Sequence, residues 1–140
     1  MTNVDSHRAA HAAFNRRDYQ ESVKNMREDA QNTDHPRNIT TKGTVEFIDW
    51  LQGWAAAFSD ARVEDVRYLD GGDHTVALFQ GRGTNDGSVG GAPATGRRMD
   101  LAYCEVFRYD ADGHVVAGEL YYDTMTMMAQ LGLMERPPAT

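Results

Sequence analysis

The spacing of apolar positions changes once along the chain, near Arg62. Before that point it is helical. Asp5-Ser6 reads as a cap, followed by an Ala-rich helix to about Asn15 with His7, His11 and Phe14 on one face. After Arg16-Arg17-Asp18, the apolar positions Tyr19, Val23 and Met26 predict a second short helix ending near Arg27. Residues 29–41 are polar, interrupted by Pro36, and read as an irregular loop in which Asn32, Asp34 and His35 are placed to line a pocket. The longest helix opens at Lys42-Gly43-Thr44 and runs to about Phe58. Phe47, Leu51, Trp54 and Phe58 form its buried stripe, widened by Trp50. Aromatics at this spacing are core, and Trp50 and Trp54 also suit the wall of a cavity.

Beyond Arg62 the alternation is that of strands, over residues 63–69, 74–82, 97–109 and 115–123. Asp70-Gly71-Gly72-Asp73 and Asp110-Ala111-Asp112-Gly113 are turns between them. Residues 83–96 hold more glycine than a hairpin needs and read as a mobile flap. The last strand passes directly into a Met-rich helical turn, with Met127 as a further candidate wall residue. Helices first and an antiparallel meander after them predict an α+β fold, with three N-terminal helices packed into a curved, antiparallel or mixed sheet. Such a sheet curls into a cone-shaped barrel with an internal pocket. No linker or repeat divides the chain: residues 1–136 read as one domain and 137–140 as a tail.

The final hairpin permits a geometric expectation. A three-residue loop with Gly113 left-handed pairs Asp110 with His114, and so sets Glu105 opposite Glu119, Tyr103 opposite Tyr121 and Leu101 opposite Asp123. Glu105, Glu119 and Asp123 then share an inward face with Tyr103 and Tyr121. Glu105 and Asp123 lie roughly 13 Å apart by strand rise, too far for a tight dyad but suited to a substrate between them. A carboxylate losing water there is tuned for proton transfer near neutral pH. Asp123 equally suits the cap of the Thr124–Gln130 helix.

Charge and composition narrow the chemistry. The chain is 41% hydrophobic and 25% charged, with a net charge of -7 and no basic stripe, which excludes nucleic acid and anionic membrane as partners. It lacks a hydrophobic leader or spanning segment and reads as cytoplasmic. Cys104 is its single cysteine, so neither a disulfide nor a thiolate metal cluster is expected. His7 and His11, one turn apart, have the spacing of a zinc pair. No Glu sits beside the first and no third ligand is evident, so they read as ordinary surface or half-buried imidazoles and no metal is expected.

The Asp112-Gly113 hairpin, Tyr121-Tyr122-Asp123 and then Gln130-Leu131-Gly132 resemble the C-terminal signature of the SnoaL-like polyketide cyclases, of the nuclear-transport-factor-2-like superfamily. Ala13-Phe14-Asn15, Gly53-Trp54, Gly81-Arg82 and Pro93-Ala94-Thr95-Gly96-Arg97 are similar to the same family. The resemblance implies a cofactor-free intramolecular aldol closure on a tricyclic aromatic polyketide ester, with Asp123 as the acid/base residue. Glu105 stands where such cyclases carry a His on the penultimate strand. The resemblance further implies self-association as a homodimer or tetramer. The candidate site is therefore Asp123 and Glu105 for catalysis, with Asn32, His35, Trp50, Trp54, Tyr103, Glu119, Tyr121 and Met127 around a hydrophobic small-molecule substrate. A non-catalytic binder of an apolar ligand and an epoxide-hydrolase or isomerase relative, using Arg98 and Asp100, are the alternatives on this scaffold.

Overall fold

The computed structural model describes residues 1–135; the tail expected over 137–140 lies outside the described residues. Helix α1 spans Asn3–Asn15. Its cap is Thr2 rather than the expected Asp5-Ser6: the Thr2 hydroxyl accepts from Asp5 N and the Asp5 carboxylate accepts from Thr2 N, both at 3.0 Å. Helix α2 is only Tyr19–Ser22. The chain then enters β1, Met26–Asp34, and turns back as β2, Ile39–Lys42, through the stretch expected to be irregular. That expectation is corrected by the sheet itself. β1 is hydrogen-bonded on both edges, antiparallel to β2 and parallel to the last strand, and a ladder on two sides outweighs the weak strand preference of Asp, Asn and Gln.

Helix α3, Gly43–Ala57, starts flush against β1. Gly43 has φ +81°, and a Cβ there would lie 2.8 Å from the Glu28 carbonyl oxygen, so glycine alone permits this approach. Strands β3 (Arg62–Asp70), β4 (His74–Thr84), β5 (Arg98–Tyr109) and β6 (Val115–Tyr122) follow, and α4 (Thr124–Gln130) closes the chain. The six strands run in the order β2-β1-β6-β5-β4-β3, antiparallel except for β1 beside β6. The core joins Phe14, Phe47, Leu51 and Phe58 of the helical side to Leu101, Tyr103, Phe107 and Leu120 of the sheet. The α+β expectation therefore holds, with a mixed sheet.

The β5–β6 hairpin closes as expected, with Asp110 N donating to His114 O at 2.9 Å and Gly113 at φ +82°. One step later the register departs from the expectation. Tyr109 pairs with Val115 but Arg108 pairs with Ala117, so Val116 is an extra residue, a β-bulge. Glu105 consequently faces Leu120 rather than Glu119, and Tyr103 faces Tyr122 rather than Tyr121. Gly118, Leu120 and Tyr122 turn inward, while Glu119 and Tyr121 turn to solvent. The bulge replaces a buried pair of like charges with a carboxylate beside leucine, the less costly arrangement. The segment read as a flap is tied at its base. Asn85, 1% exposed, donates to the carbonyls of Ala57 and Gly87 and accepts from Thr95 N.

Candidate active site

Inside the sheet lies a cavity of about 90 Å³, walled mainly by Phe14, Trp50, Leu51, Trp54, Phe79, Tyr103 and Phe107 and bordered by His11 and Glu105. A smaller space of about 10 Å³, room for one water, adjoins Glu105, Asn32, Asp34 and Gly118. Glu105 borders both. It sits at the middle of β5, and its alternation with Tyr103 and Phe107 fixes it to the inner face.

Four elements, α1, β3, β4 and β5, bring the polar centre together. His7 and His11 project from α1 one turn apart, and their Nε2 atoms lie 2.9 and 2.6 Å from the same oxygen, Glu105 Oε1. The far nitrogens are held by hydroxyls of the sheet: His7 Nδ1 is 2.8 Å from Thr75 Oγ1, and His11 Nδ1 is 2.8 Å from the Tyr68 hydroxyl. Thr75 Oγ1 continues to the Tyr109 hydroxyl at 2.9 Å, which donates to the Asn3 carbonyl. Burial opposes ionisation of Glu105, but the hydrogen bonds and charges of His11 and His7 outweigh it and hold the carboxyl at about 2. Desolvation pushes His7 below its ordinary value despite Glu105. It pushes the Tyr68 hydroxyl up to about 12.

A second polar group stands on β1. The Asp34 carboxylate, 3% exposed, accepts from the Tyr122 hydroxyl at 2.8 Å and from Trp50 Nε1 at 3.1 Å, and pairs with Arg37 at 2.7 Å. The Arg37 guanidinium lies over the Trp54 ring, 4.8 Å from its centroid. This network fixes both indoles, one through its N–H and one through its face.

The predicted residues fall into two groups. Glu105, Trp50, Trp54 and Tyr103 border the larger cavity, and Asn32 borders the smaller one with its Oδ1 buried and lacking a hydrogen-bond partner among the described residues. His35, Glu119 and Tyr121 come together on the outer face, with His35 stacked on Tyr121 at 4.5 Å and 3.1 Å from Glu119 Oε1. The expectation that Asp123 shares an inward face with Glu105 is corrected. Asp123 is exposed at the N-terminus of α4, where its carboxylate accepts from Met125 N at 3.0 Å and Thr126 Oγ1 at 2.6 Å. Met127 is 2% exposed and packs in the core instead of bordering either cavity. Arg98 and Asp100 pair with Asp60 and Arg82 and border neither.

Sequence reasoning missed the partnership of His7 and His11 with Glu105; it placed Asp34 at a pocket wall, where the smaller cavity has it, but not in its network with Tyr122, Trp50 and Arg37. The four-residue spacing of the histidines was the available signal for the first. Nothing in the chain's periodicity announces the second, because the polar run of β1 has the composition of a loop.

The comparisons agree with this architecture. The structure is similar to that of a candidate polyketide cyclase from Pseudomonas putida KT2440, with a TM-score of 0.84 at 20% identity, over 94% of this chain and 98% of the other. It is similar to IdmH, a candidate polyketide cyclase from Streptomyces antibioticus, with a TM-score of 0.78 at 25% identity, over 94% and 99% of the two chains. A protein of ketosteroid isomerase-like fold from Catenulispora acidiphila gives a TM-score of 0.78 at 18% identity, over 96% and 98%. Among curated proteins none matches the sequence. The family model of the SnoaL-like polyketide cyclases matches residues 5–131. That span runs from the first turn of α1 to the residue after α4, so the chain belongs to the SnoaL-like polyketide cyclase family.

Proposed function

We propose that this chain is an acid/base enzyme acting on an apolar, carbonyl-rich ring compound, and that Glu105 is its proton-transfer group. One observation carries the reading: a buried carboxylate, bonded to two imidazoles through a single oxygen, borders a cavity walled by aromatic rings. Among the described residues the hydrogen bonds to Glu105 fall on Oε1, which leaves Oε2 for a substrate. A proton from a carbon flanked by carbonyls passes to Oε2, the enolate carbon bonds to a second carbonyl carbon of the same molecule, and the resulting alkoxide takes the proton back. A carboxyl held at about 2 is a weak base, so the reaction suits a C–H already acidified by conjugation. Trp50, Trp54 and Tyr103 supply orientation and exclude water. An aromatic polyketide ester, the substrate class implied by the family resemblance, meets these requirements.

The test is single-turnover conversion of such an ester, followed by mass spectrometry, in the wild type, Glu105→Gln and Asp123→Asn. Glu105→Gln should lose roughly 10²-fold or more while retaining ligand quenching of tryptophan fluorescence. Asp123→Asn should stay within a few-fold of the wild type. Full turnover by Glu105→Gln removes Glu105 from the chemistry. Saturable binding by a wild type that forms no product favours the binding-protein alternative, which rests on the apolar wall alone.

A further inference from the structure

The cluster of His7, His11 and Glu105 has a second property, independent of the reaction proposed above. We propose that these three side chains form a binding site for one divalent transition-metal ion. One ligand atom from each lies within 4.8 Å of the other two, with two of the residues on adjacent turns of a helix and one at the centre of a sheet. Bonds of about 2.0–2.2 Å to a shared ion need ligand atoms roughly 3.0–3.4 Å apart. The nitrogen-to-oxygen separations of 2.9 and 2.6 Å therefore have to open by only a few tenths of an ångström to about 0.8 Å, within the reach of a carboxylate rotation.

The direction of the surrounding hydrogen bonds favours a cation at this point. The Asn3 carbonyl can only accept, so the Tyr109 hydroxyl donates to it. Thr75 then donates to Tyr109, and its free lone pair receives the proton of His7 Nδ1. In a neutral ring this turns the Nε2 lone pair of His7 toward Glu105 Oε1, acceptor against acceptor, and a shared positive charge resolves the conflict. A proton can do so for one imidazole at a time; a metal ion does so for all three ligands together. Thr75 and Tyr68 stand where the outer partners of metal-bound imidazoles stand, fixing ring orientation through the far nitrogen. His11 and Glu105 border the cavity, so further coordination positions would open into it. Two imidazoles and one carboxylate select ions such as iron(II), cobalt(II) or zinc(II) over magnesium and calcium.

A metal ion on Oε1 and the two imidazoles withdraws charge from the carboxylate whose Oε2 takes the substrate proton, so the loaded protein is the weaker base. Only this consequence rests on the function proposed above; the binding itself does not. The experiment uses tag-free protein stripped with a chelator and titrated with cobalt(II), by visible absorption, and with zinc(II), by calorimetry. The expected result is one ion per chain with micromolar or tighter Kd, and no competition by excess magnesium. His11→Gln should weaken binding at least 10-fold, and Tyr68→Phe by about 10-fold through loss of the outer partner. Circular dichroism of each variant checks its fold. Absence of stoichiometric binding by the wild type overturns the proposal whatever the variants do. So does binding that His11→Gln leaves unchanged, which would move the ion elsewhere, for example to Asp110, Asp112 and His114 of the hairpin turn. Turnover of the stripped protein tests the acid/base reading separately, since that reading can fail while the ion still binds.

Discussion

Glu105 with His7 and His11, and Glu119 with His35, are built from the same residue types at similar distances on neighbouring strands. Each includes or touches a tyrosine: Tyr68 bonds His11, and Tyr121 stacks on His35. They differ in the side of the sheet they occupy. The inner group is largely buried, with side chains at 0%, 12% and 10%, borders an aromatic cavity and has its carboxyl pulled far from the ordinary range. The outer group is roughly half exposed, with side chains at 40% and 47%, where an ion pair contributes little beyond about 1 kcal/mol. Residue type and spacing alone therefore do not make a site. Which face a strand presents decides it, and here one extra residue, Val116, sets the face.

Inserting one residue between Ala117 and Gly118 should produce the largest effect. With the extra residue opposite Phe107, β6 either pairs with Glu119 opposite Glu105 and Tyr121 opposite Tyr103, or breaks its ladder with β5. Both outcomes bury charge or strand the core residues Leu120 and Gly118. A loss exceeding about 4 kcal/mol is expected, seen as insoluble protein or a non-cooperative denaturant transition by circular dichroism. Cooperative unfolding at wild-type stability would show that the faces are set by something other than this register.

Acid should separate the two groups next. The carboxyl of Glu105 is lowered on folding from 4.5 to about 2, so its contribution is fully present above the ordinary carboxylate value and is lost as pH falls toward 2. The imidazole of His7 is also lowered, from 6.5, so the unfolded chain takes up its proton first and stability declines below that pH as well. Both effects have the same sign: urea midpoints should fall as pH is lowered through the range from 6.5 to 3. Glu105→Gln should flatten the part of this slope below 4.5, whereas Glu119→Gln should leave it as in the wild type. An equal response in both variants would mean that burial does not distinguish the two groups.

The helices and the four later strands were legible because their patterns are strong: Phe47, Leu51 and Phe58 at helical spacing, and alternation through Leu101, Tyr103 and Phe107. β1 was not legible, since its inward positions include Asn32 and Asp34, polar residues that the fold buries. Even the correctly foreseen loop at Gly113 could not reveal the bulge three residues beyond it, because a bulge leaves no composition signal. That single displacement turned the Glu119 and Tyr121 side chains to solvent and kept Glu105 facing inward. The family resemblance gave the architecture but pointed to Asp123, whose exposed position depends on the turn from β6 into α4.

Asp123 offers the smallest and most discriminating change. Its carboxylate receives Met125 N and Thr126 Oγ1, while Met127 and Leu131, both nearly inaccessible, dock α4 on the core. Asp123→Ala removes the cap but not the docking, so a loss of about 1 kcal/mol is expected in urea denaturation. Asp123→Asn, which caps nearly as well, should stay within a few tenths of the wild type. Neither should alter turnover by more than a few-fold, since the group borders neither cavity. If Asp123→Asn keeps its stability and loses turnover, the proton is handled at the exposed end of the strand. The buried carboxylate–imidazole cluster would then be a structural support or a metal site only.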